Sequence, residues 1–259
     1  MALFSSKFST MTLDNKANNQ FWSWQMSPTK FTLVCSVFFV IFYNTAFFKT
    51  LHTALPIDNV KSALFFISVS LLVSTVTALV LSFFVLPKIS KPAMMFVFFA
   101  AASVSYFMNA YGIVIHQTMI QNTIETDTNE ARGLLNGTLA IYILVLGVTP
   151  SLLLLKVKLS FGDLKHEVWS KLKLWGGILL MIFLLIAPFT ADYASFFRNH
   201  KNIRQMANPV NFIYATIAYA SASNKSITVK PIGEDAKLNE HAKAQTKPIL
   251  FVLVVGETA

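Results

Sequence analysis

The stretch "ALFFISVSLLVSTVTALVLSFFVL", residues 63–86, runs without a single charged side chain. A helix of about 20 predominantly apolar residues crosses the hydrocarbon core of a bilayer. The polar members of the stretch are serine and threonine hydroxyls, which a membrane helix can hydrogen-bond to its own carbonyls or to a neighbouring helix. We therefore predict a transmembrane helix from Ala63 to Leu86.

The composition of the whole chain supports lipid as its solvent. Hydrophobic residues make up 54% of the sequence, charged residues make up 13%, and 24 residues are Phe. The mean hydropathy is +0.57. Since about a quarter of a typical soluble domain is charged, these values indicate an integral membrane protein.

Four further apolar stretches have the length and composition of membrane spans. They are Phe31 to Phe48, Ala93 to Ile113, Leu134 to Leu155 and Leu174 to Thr190. The polar residues 1–30 and the length of the first stretch argue against a cleavable signal peptide, so that stretch is expected to act as an anchor. The predicted fold class is therefore an all-α membrane protein, with a five-transmembrane-helix bundle over residues 1–190.

The positive charges predict the orientation of the bundle. One set of connections carries ten lysines: Lys7, Lys16, Lys30, Lys88, Lys91, Lys156, Lys158, Lys165, Lys171 and Lys173. The other set carries three positive residues: Lys49, Lys61 and Arg132. Because cytoplasmic loops are enriched in Lys and Arg, we predict a cytoplasmic N-terminus and a periplasmic C-terminus. The net charge of +9 then reflects topology and does not indicate nucleic-acid binding.

The predicted spans argue against a transporter. They contain no Asp, Glu, Lys or Arg, whereas ion-coupled carriers and channels keep ionisable groups inside the membrane. No zinc-type Cys/His cluster and no phosphate-binding glycine loop occurs in the sequence, and Cys35 is interpreted as a small buried hydrophobe. The bundle is therefore interpreted as an anchor or a lipid-facing platform.

Polar residues gather in the connection after the third span, "YGIVIHQTMIQNTIETDTNEARGLLNG", residues 111–137. Asn122, Thr126 and Glu130 are spaced by four, so on a helix they would share one face. A carboxylate can pair with an amine while an amide and a hydroxyl bond phosphate or ester oxygens, which suits an ammonium-bearing lipid headgroup. The alternative is that Asp127 and Glu130 form a capping box at the start of the fourth span.

The segment after the fifth span, residues 190–223, mixes aromatic residues with Arg198, Lys201 and Arg204. A basic, aromatic-rich amphipathic stretch beside a membrane is typical of an interfacial helix, although an ordinary connecting helix has a similar composition. Pro209 is expected to break the stretch into two pieces. Residues 191–248 are thus predicted to form a periplasmic interfacial helix and a linker.

The last residues, "ILFVLVVGETA", 249–259, begin with a continuous apolar run. Such a run before a turn signal is typical of a strand buried on both faces of a parallel sheet. Residues 249–259 are therefore predicted to be the first strand of a further domain.

The chain resembles the membrane-bound phosphoethanolamine transferases that modify lipid A, a group that includes the mobile colistin-resistance enzymes. The resemblance covers essentially the whole chain and is carried by the five spans and by four motifs. These are "NTIETDTNEA" (122–131), "YASFFRNHK" (193–201), the "NP" that follows it, and "VVGETA" (254–259). In this family the last motif opens a periplasmic α/β domain similar to alkaline phosphatases and sulfatases.

The resemblance implies the chemistry of the complete enzyme. A zinc-activated threonine would take phosphoethanolamine from phosphatidylethanolamine and pass it to lipid A, which confers polymyxin resistance. Glu257 matches a zinc-ligating glutamate, whereas Thr258 does not match the nucleophile, which lies further downstream. Asn122, Thr126 and Glu130 match the headgroup pocket of the family. His116 departs from the pattern, since an acidic residue is expected there.

Two functional interpretations follow. The chain is either the membrane part of a zinc-dependent transferase in the bacterial inner membrane, inactive by itself, or a non-catalytic anchor or lipid-binding remnant. The sequence that follows Ala259 and the binding of zinc would separate them. The acceptor, which could be lipid A, Kdo or heptose, also stays open, with lipid A favoured.

Overall fold

The computed structural model describes residues 24–127 and 132–223 together with the single positions 237, 252 and 254. Two short strands and ten helices organise the described residues. They are β1 (Trp24–Met26), α1 (Pro28–Tyr43), α2 (Thr45–Ala54), α3 (Val60–Phe84), α4 (Ser90–Tyr111), α5 (Gln117–Glu125), α6 (Gly137–Lys156), β2 (Val157–Leu159), α7 (Leu164–Ile186), α8 (Thr190–Asn199), α9 (Lys201–Arg204) and α10 (Val210–Ser223).

The number of membrane spans agrees with the sequence prediction when one bent pair is counted as a span. Within the described ranges, four helical runs are long and apolar enough to cross a membrane: α3, α4, α6 and the run Leu164–Asn199 that contains α7 and α8. The fifth predicted span is not one straight helix, because α1 and α2 meet at an angle of 67° around Asn44. The expectation of a continuous helix from Phe31 to Phe48 is therefore wrong at this residue.

The fifth span also differs from its predicted start. α7 begins at Leu164, ten residues before Leu174, because its first turns carry lysines and a glutamate that hydropathy alone excludes from a membrane segment. The Asp163 N-cap and Glu167 in the first turn favour a helix start here. The helix therefore extends beyond the apolar stretch at its charged end.

Lysine-bearing connections gather at one end of the bundle, which we call the basic end. Here β1 and β2 pair in parallel, with Trp24 opposite Val157 and Met26 opposite Leu159. The Lys91 Nζ atom donates a hydrogen bond to the Leu155 carbonyl at 3.2 Å, which ties the start of α4 to the end of α6. The two three-residue strands depart from the all-α expectation, since no run this short has a detectable strand pattern.

Two clusters of buried apolar side chains form the core. The first, nearer the basic end, is built from α1, α3, α4 and the end of α6, with Phe39, Leu81, Met94 and Ala101 fully buried. The second lies at the opposite end, which we call the α5 end. It joins α2 and α3 to α8, α9 and α10 through Phe47, Leu51, Phe65, Tyr193, Phe196, Ile203, Met206 and Phe212.

A reciprocal pair of buried asparagines connects the bend in the first span to the start of α10. The Asn44 Nδ2 atom donates to the Asn208 carbonyl at 2.6 Å and to the Phe39 carbonyl at 3.0 Å, and the Asn208 backbone N–H donates to Asn44 Oδ1 at 2.8 Å. The Asn208 side chain donates to the Ala101 carbonyl of α4 at 2.9 Å. These bonds pair the Asn44 side chain and the backbone of Asn208 with each other inside an apolar bundle, where an unpaired polar group costs about 1–3 kcal/mol.

The segment predicted to be interfacial is helical and is interrupted as expected. α9 ends at Arg204 and α10 begins directly after Pro209, which confirms the predicted break. Its buried aromatic and apolar side chains contribute to the second core. Interfacial placement of its exposed face stays a prediction, and so do the linker and the strand at residues 249–259, which lie outside the described residues apart from positions 237, 252 and 254.

Ser68 of α3 anchors the C-terminal part of the fifth span. Its hydroxyl donates to the Leu185 carbonyl at 3.0 Å and lies 2.8 Å from the Tyr193 hydroxyl. Ser68 is buried, so both partners depend on it rather than on lipid or water. One side chain thus holds α7 and α8 against α3.

Replacing Ser68 with alanine is expected to lower the free energy of unfolding by about 1–2 kcal/mol, because two buried groups lose a partner. The matched control is Ser70→Ala on the same helix, whose hydroxyl bonds the Phe66 carbonyl within α3; its effect should stay within about 0.5 kcal/mol. Denaturant titration of both variants in detergent micelles measures the difference. Equal losses would contradict the anchoring role.

Candidate functional site

The connection that leads into α5 is fixed at both of its sides. Gly112 ends α4 in the left-handed conformation, with φ at 65°, which a glycine adopts without a Cβ clash. Three residues later Ile115 is buried, and its carbonyl accepts a hydrogen bond from the Asn211 side chain of α10. The start of α5 is therefore held against α10.

The helix α5 itself is an exposed element. None of its residues from Gln117 to Glu125 is buried, although Ile120 packs against the second core. His116 is the N-cap residue and makes no side-chain capping bond. The helix thus presents most of its polar side chains to its surroundings at the α5 end.

The two predicted headgroup residues that the structure describes, Asn122 and Thr126, do not lie on one continuous helical face. Asn122 lies in α5, whereas Thr126 is the C-cap residue in an extended conformation, with φ at −63° and ψ at 130°. The helix ends before it reaches Glu130, which lies outside the described residues. Asn122 and Thr126 are nevertheless neighbours, because the Thr126 hydroxyl donates to the Asn122 carbonyl.

These contacts decide which hydrogen bonds remain for a ligand. The Asn122 side chain is exposed and makes no hydrogen bond to the described residues, so it offers one acceptor and two donors. The Thr126 proton is used within the chain, so this hydroxyl is left as an acceptor. The Asn122 side-chain oxygen and the Thr126 hydroxyl oxygen form an acceptor pair that suits an ammonium group. The two N–H donors of the Asn122 amide suit a phosphate or ester oxygen.

Asn136 anchors the far side of the connection. Its side chain accepts a hydrogen bond from the Leu139 backbone N–H at 2.9 Å and so caps α6, and its amide donates to the Tyr106 hydroxyl of α4. The spanning helix therefore begins with Asn136 as its N-cap, while the alternative capping box of Asp127 and Glu130 stays a prediction, because Glu130 lies outside the described residues. The cap ties α6 to α4 beside the connection.

A second polar link joins α2 to α4 at the same end. The Thr45 hydroxyl donates to Asn109 Oδ1 at 2.9 Å, and the Asn109 amide donates to the Ser105 carbonyl at 2.7 Å. Such bonds between small polar side chains hold membrane helices together. The α5 end is therefore a rigid polar frame that carries one exposed helix.

The described residues form no site for the zinc ion that Glu257 is predicted to bind. Within the described ranges, no three His, Cys, Asp or Glu side chains come together in a way that could hold a metal ion. Glu257 lies outside those ranges. Zinc binding stays a prediction.

A sequence model described as phosphoethanolamine transferase EptA/EptB matches residues 72–223, which include α5 and its frame. The chain belongs to this phosphoethanolamine transferase family. The predicted family resemblance is thereby confirmed.

Individual members of the transferase family align over most of the chain. Phosphatidylethanolamine transferase Mcr-1 of Escherichia coli is 34% identical over 91% of this chain and 44% of its own length. Phosphoethanolamine transferase EptA of Escherichia coli (strain K12) is 30% identical over 88% of this chain and 42% of its own length. The chain therefore spans less than half the length of these curated relatives.

A solved transferase structure confirms the membrane fold. The integral membrane protein lipooligosaccharide phosphoethanolamine transferase A (EptA) from Neisseria meningitidis matches with a TM-score of 0.74 and 24% identity. The match covers 79% of this chain and 38% of that chain. The multi-pass membrane bundle of this chain thus has the fold of part of that structure.

Several residues of the frame were missed by sequence reasoning. Asn136 had a usable signal, since an Asn directly before an apolar helical stretch is a preferred N-cap. Tyr106 and Asn211 had none, because their partners, Asn136 and the Ile115 carbonyl, are distant in sequence.

Replacing His116 with asparagine is expected to stabilise the start of α5. Asn is a favoured N-cap whose side-chain oxygen can accept a hydrogen bond from the Thr118 N–H or share the Met119 N–H, which already donates to the residue-116 carbonyl at 3.0 Å, and a cap contributes about 1 kcal/mol. The amides of Thr118 and Met119 should then exchange about fivefold more slowly in a hydrogen-exchange experiment. His116→Ala is the control without a cap, and equal exchange in the two variants would contradict the assignment.

Proposed function

We propose that this chain is the membrane part of a phosphoethanolamine transferase that moves phosphoethanolamine from phosphatidylethanolamine to lipid A. Family membership and the similarity to the transferases Mcr-1 and EptA support the transferase reaction. The observation that carries the site is the exposed α5, where the Asn122 amide makes no hydrogen bond to the described residues and the Thr126 hydroxyl is a neighbouring acceptor. Polymyxin resistance would be the physiological result of such a modification.

The proposed role of the site is to bind and orient the headgroup of the donor lipid. The Thr126 hydroxyl oxygen and the Asn122 side-chain oxygen Oδ1 would accept hydrogen bonds from the ammonium group of the lipid. Glu130 would supply the opposite charge. The Asn122 amide protons would bond a phosphate or ester oxygen. This arrangement would hold the phosphoethanolamine at the membrane surface for attack by a nucleophile.

The transfer step itself is assigned to residues beyond this site. By family resemblance, Glu257 would be one ligand of a zinc ion that stabilises charge on the phosphoryl group, and the threonine nucleophile would lie downstream. The chain described here would contribute binding and orientation, and would be inactive alone.

The proposed location is the bacterial inner membrane, with the basic end in the cytoplasm and the α5 end in the periplasm. The gathering of Lys91, Lys156 and Lys158 around the paired strands supports this orientation. The donor headgroup would then be taken from the periplasmic leaflet.

Replacing Glu130 with glutamine is expected to weaken binding of phosphatidylethanolamine about tenfold, because a charge-assisted hydrogen bond to the ammonium contributes about 1.5–3 kcal/mol. Asn122→Ala should weaken it severalfold. Lipid binding to the purified chain can be measured by native mass spectrometry, with phosphatidylglycerol as a lipid that lacks the amine. The matched control is Gln121→Ala, whose side chain bonds Glu125 within α5.

Two results would count against the proposed site. If Gln121→Ala and Asn122→Ala weaken binding equally, α5 contributes a general surface rather than a headgroup pocket. If Glu130→Gln weakens phosphatidylglycerol binding as much as phosphatidylethanolamine binding, the carboxylate does not recognise the amine. The chain would then be better described as a lipid-binding anchor.

A further inference from the structure

The fifth span is attached to the bundle at its two ends and is weakly packed between them. In α7, Glu167 and Ile178 are the buried residues. The exposed side chains include Leu179, Leu180, Phe183 and Leu184. A spanning helix with so little burial depends on localised contacts.

The contacts at the basic end are polar. The Thr29 hydroxyl of α1 lies 2.9 Å from the Ser170 hydroxyl of α7, and the Trp175 indole N–H donates to the Ser82 hydroxyl of α3 at 2.9 Å. At the other end the Ser68 contact described above holds α7. Between these attachments α7 stands away from α1.

The separation leaves a groove of about 370 Å³ between α1, α3 and α7. Its walls are Leu33 and Val37 of α1, and Gly177 and Met181 of α7. Its floor consists of small side chains of α3, among them Ser74 and Ala78. The lining is therefore mostly apolar and opens toward the surrounding lipid.

On each of the two helices that form the walls, α1 and α7, a lysine lies at the end of the groove nearer the basic end. Lys173 lines the groove and precedes Gly177 by four residues and Met181 by eight, so the three share one face of α7. Lys30 precedes Leu33 by three residues and therefore lies one turn before it on α1. Both lysines are exposed, and neither forms an ion pair with another described residue.

We propose that this groove binds one phospholipid with an anionic headgroup of the phosphatidylglycerol class. One acyl chain lies in the groove, and the phosphate lies between the ammonium groups of Lys30 and Lys173. Two ammonium groups beside an apolar groove complement a phosphate joined to an acyl chain. The site faces the basic end, so it is distinct from the headgroup site on α5.

The dimensions of the groove favour an acyl chain over a helix. Lys173 to Met181 covers about 12 Å along α7, close to the roughly 15 Å of one leaflet of the hydrocarbon core. A volume of about 370 Å³ over that length gives a cross-section of about 30 Å². A helix about 10 Å across needs about 80 Å², so the groove is too narrow to enclose a transmembrane helix, whereas an extended acyl chain fits along it.

The test is native mass spectrometry of the full chain in detergent with equimolar phosphatidylglycerol and phosphatidylethanolamine. The unaltered chain should retain phosphatidylglycerol in the groove in addition to any phosphatidylethanolamine held at the α5 site, so the amount of phosphatidylglycerol retained is the readout for the groove. The double variant Lys30→Gln with Lys173→Gln should bind phosphatidylglycerol at least tenfold more weakly, and so should Gly177→Leu, whose side chain would fill the groove.

Each variant has a matched control on α7. Lys165→Gln removes another exposed lysine outside the groove. Gly176→Leu adds the same side chain beside Gly177, at a position that also has open space for a Cβ atom but does not line the groove. Both controls should bind phosphatidylglycerol as the unaltered chain does.

Three results would overturn the proposal. The first is an unaltered chain that retains no phosphatidylglycerol. The second is unchanged phosphatidylglycerol binding in the double lysine variant, which carries only surface substitutions and so should fold normally. The third is a lipid-free chain that associates with a second copy and loses that association on Gly177→Leu.

Discussion

The reciprocal hydrogen bonds between Asn44 and Asn208 are the constraint on which the rest of the structure depends. A transmembrane chain that bends must satisfy the released backbone groups internally, because lipid offers no partners. Asn44 meets this requirement with its own side chain and with a residue far along the sequence. The bend can therefore exist only where the segment after α9 returns to it.

The consequences of this pairing reach the candidate site. Asn208 also bonds the Ala101 carbonyl of α4, and α10 begins just after it. From α10, Asn211 holds the Ile115 carbonyl, which fixes the connection into α5. The exposed helix that carries Asn122 is therefore positioned through the side-chain amides of Asn44, Asn208 and Asn211, while its own polar residues are exposed to a ligand.

The sequence predicted the features that depend on composition and failed where distant residues meet. Hydropathy alone located the spans, and Pro209 located the break before α10, since both are local properties. The bend at Asn44 was not predicted, because its cause is a partner at Asn208 rather than a local breaker such as proline. The end of α5 at Glu125 was not predicted either, since a spacing of four between Asn122, Thr126 and Glu130 does not show where a helix stops.

The most direct test of this account is a double-mutant cycle with Asn44→Ala and Asn208→Ala, measured as free energies of unfolding in detergent micelles. Two residues that satisfy each other should show a coupling energy of about 1–3 kcal/mol, because the second substitution costs little once the first has broken the pair. Effects that add within about 0.5 kcal/mol would contradict the account. The bend and the start of α10 would then be held by separate contacts.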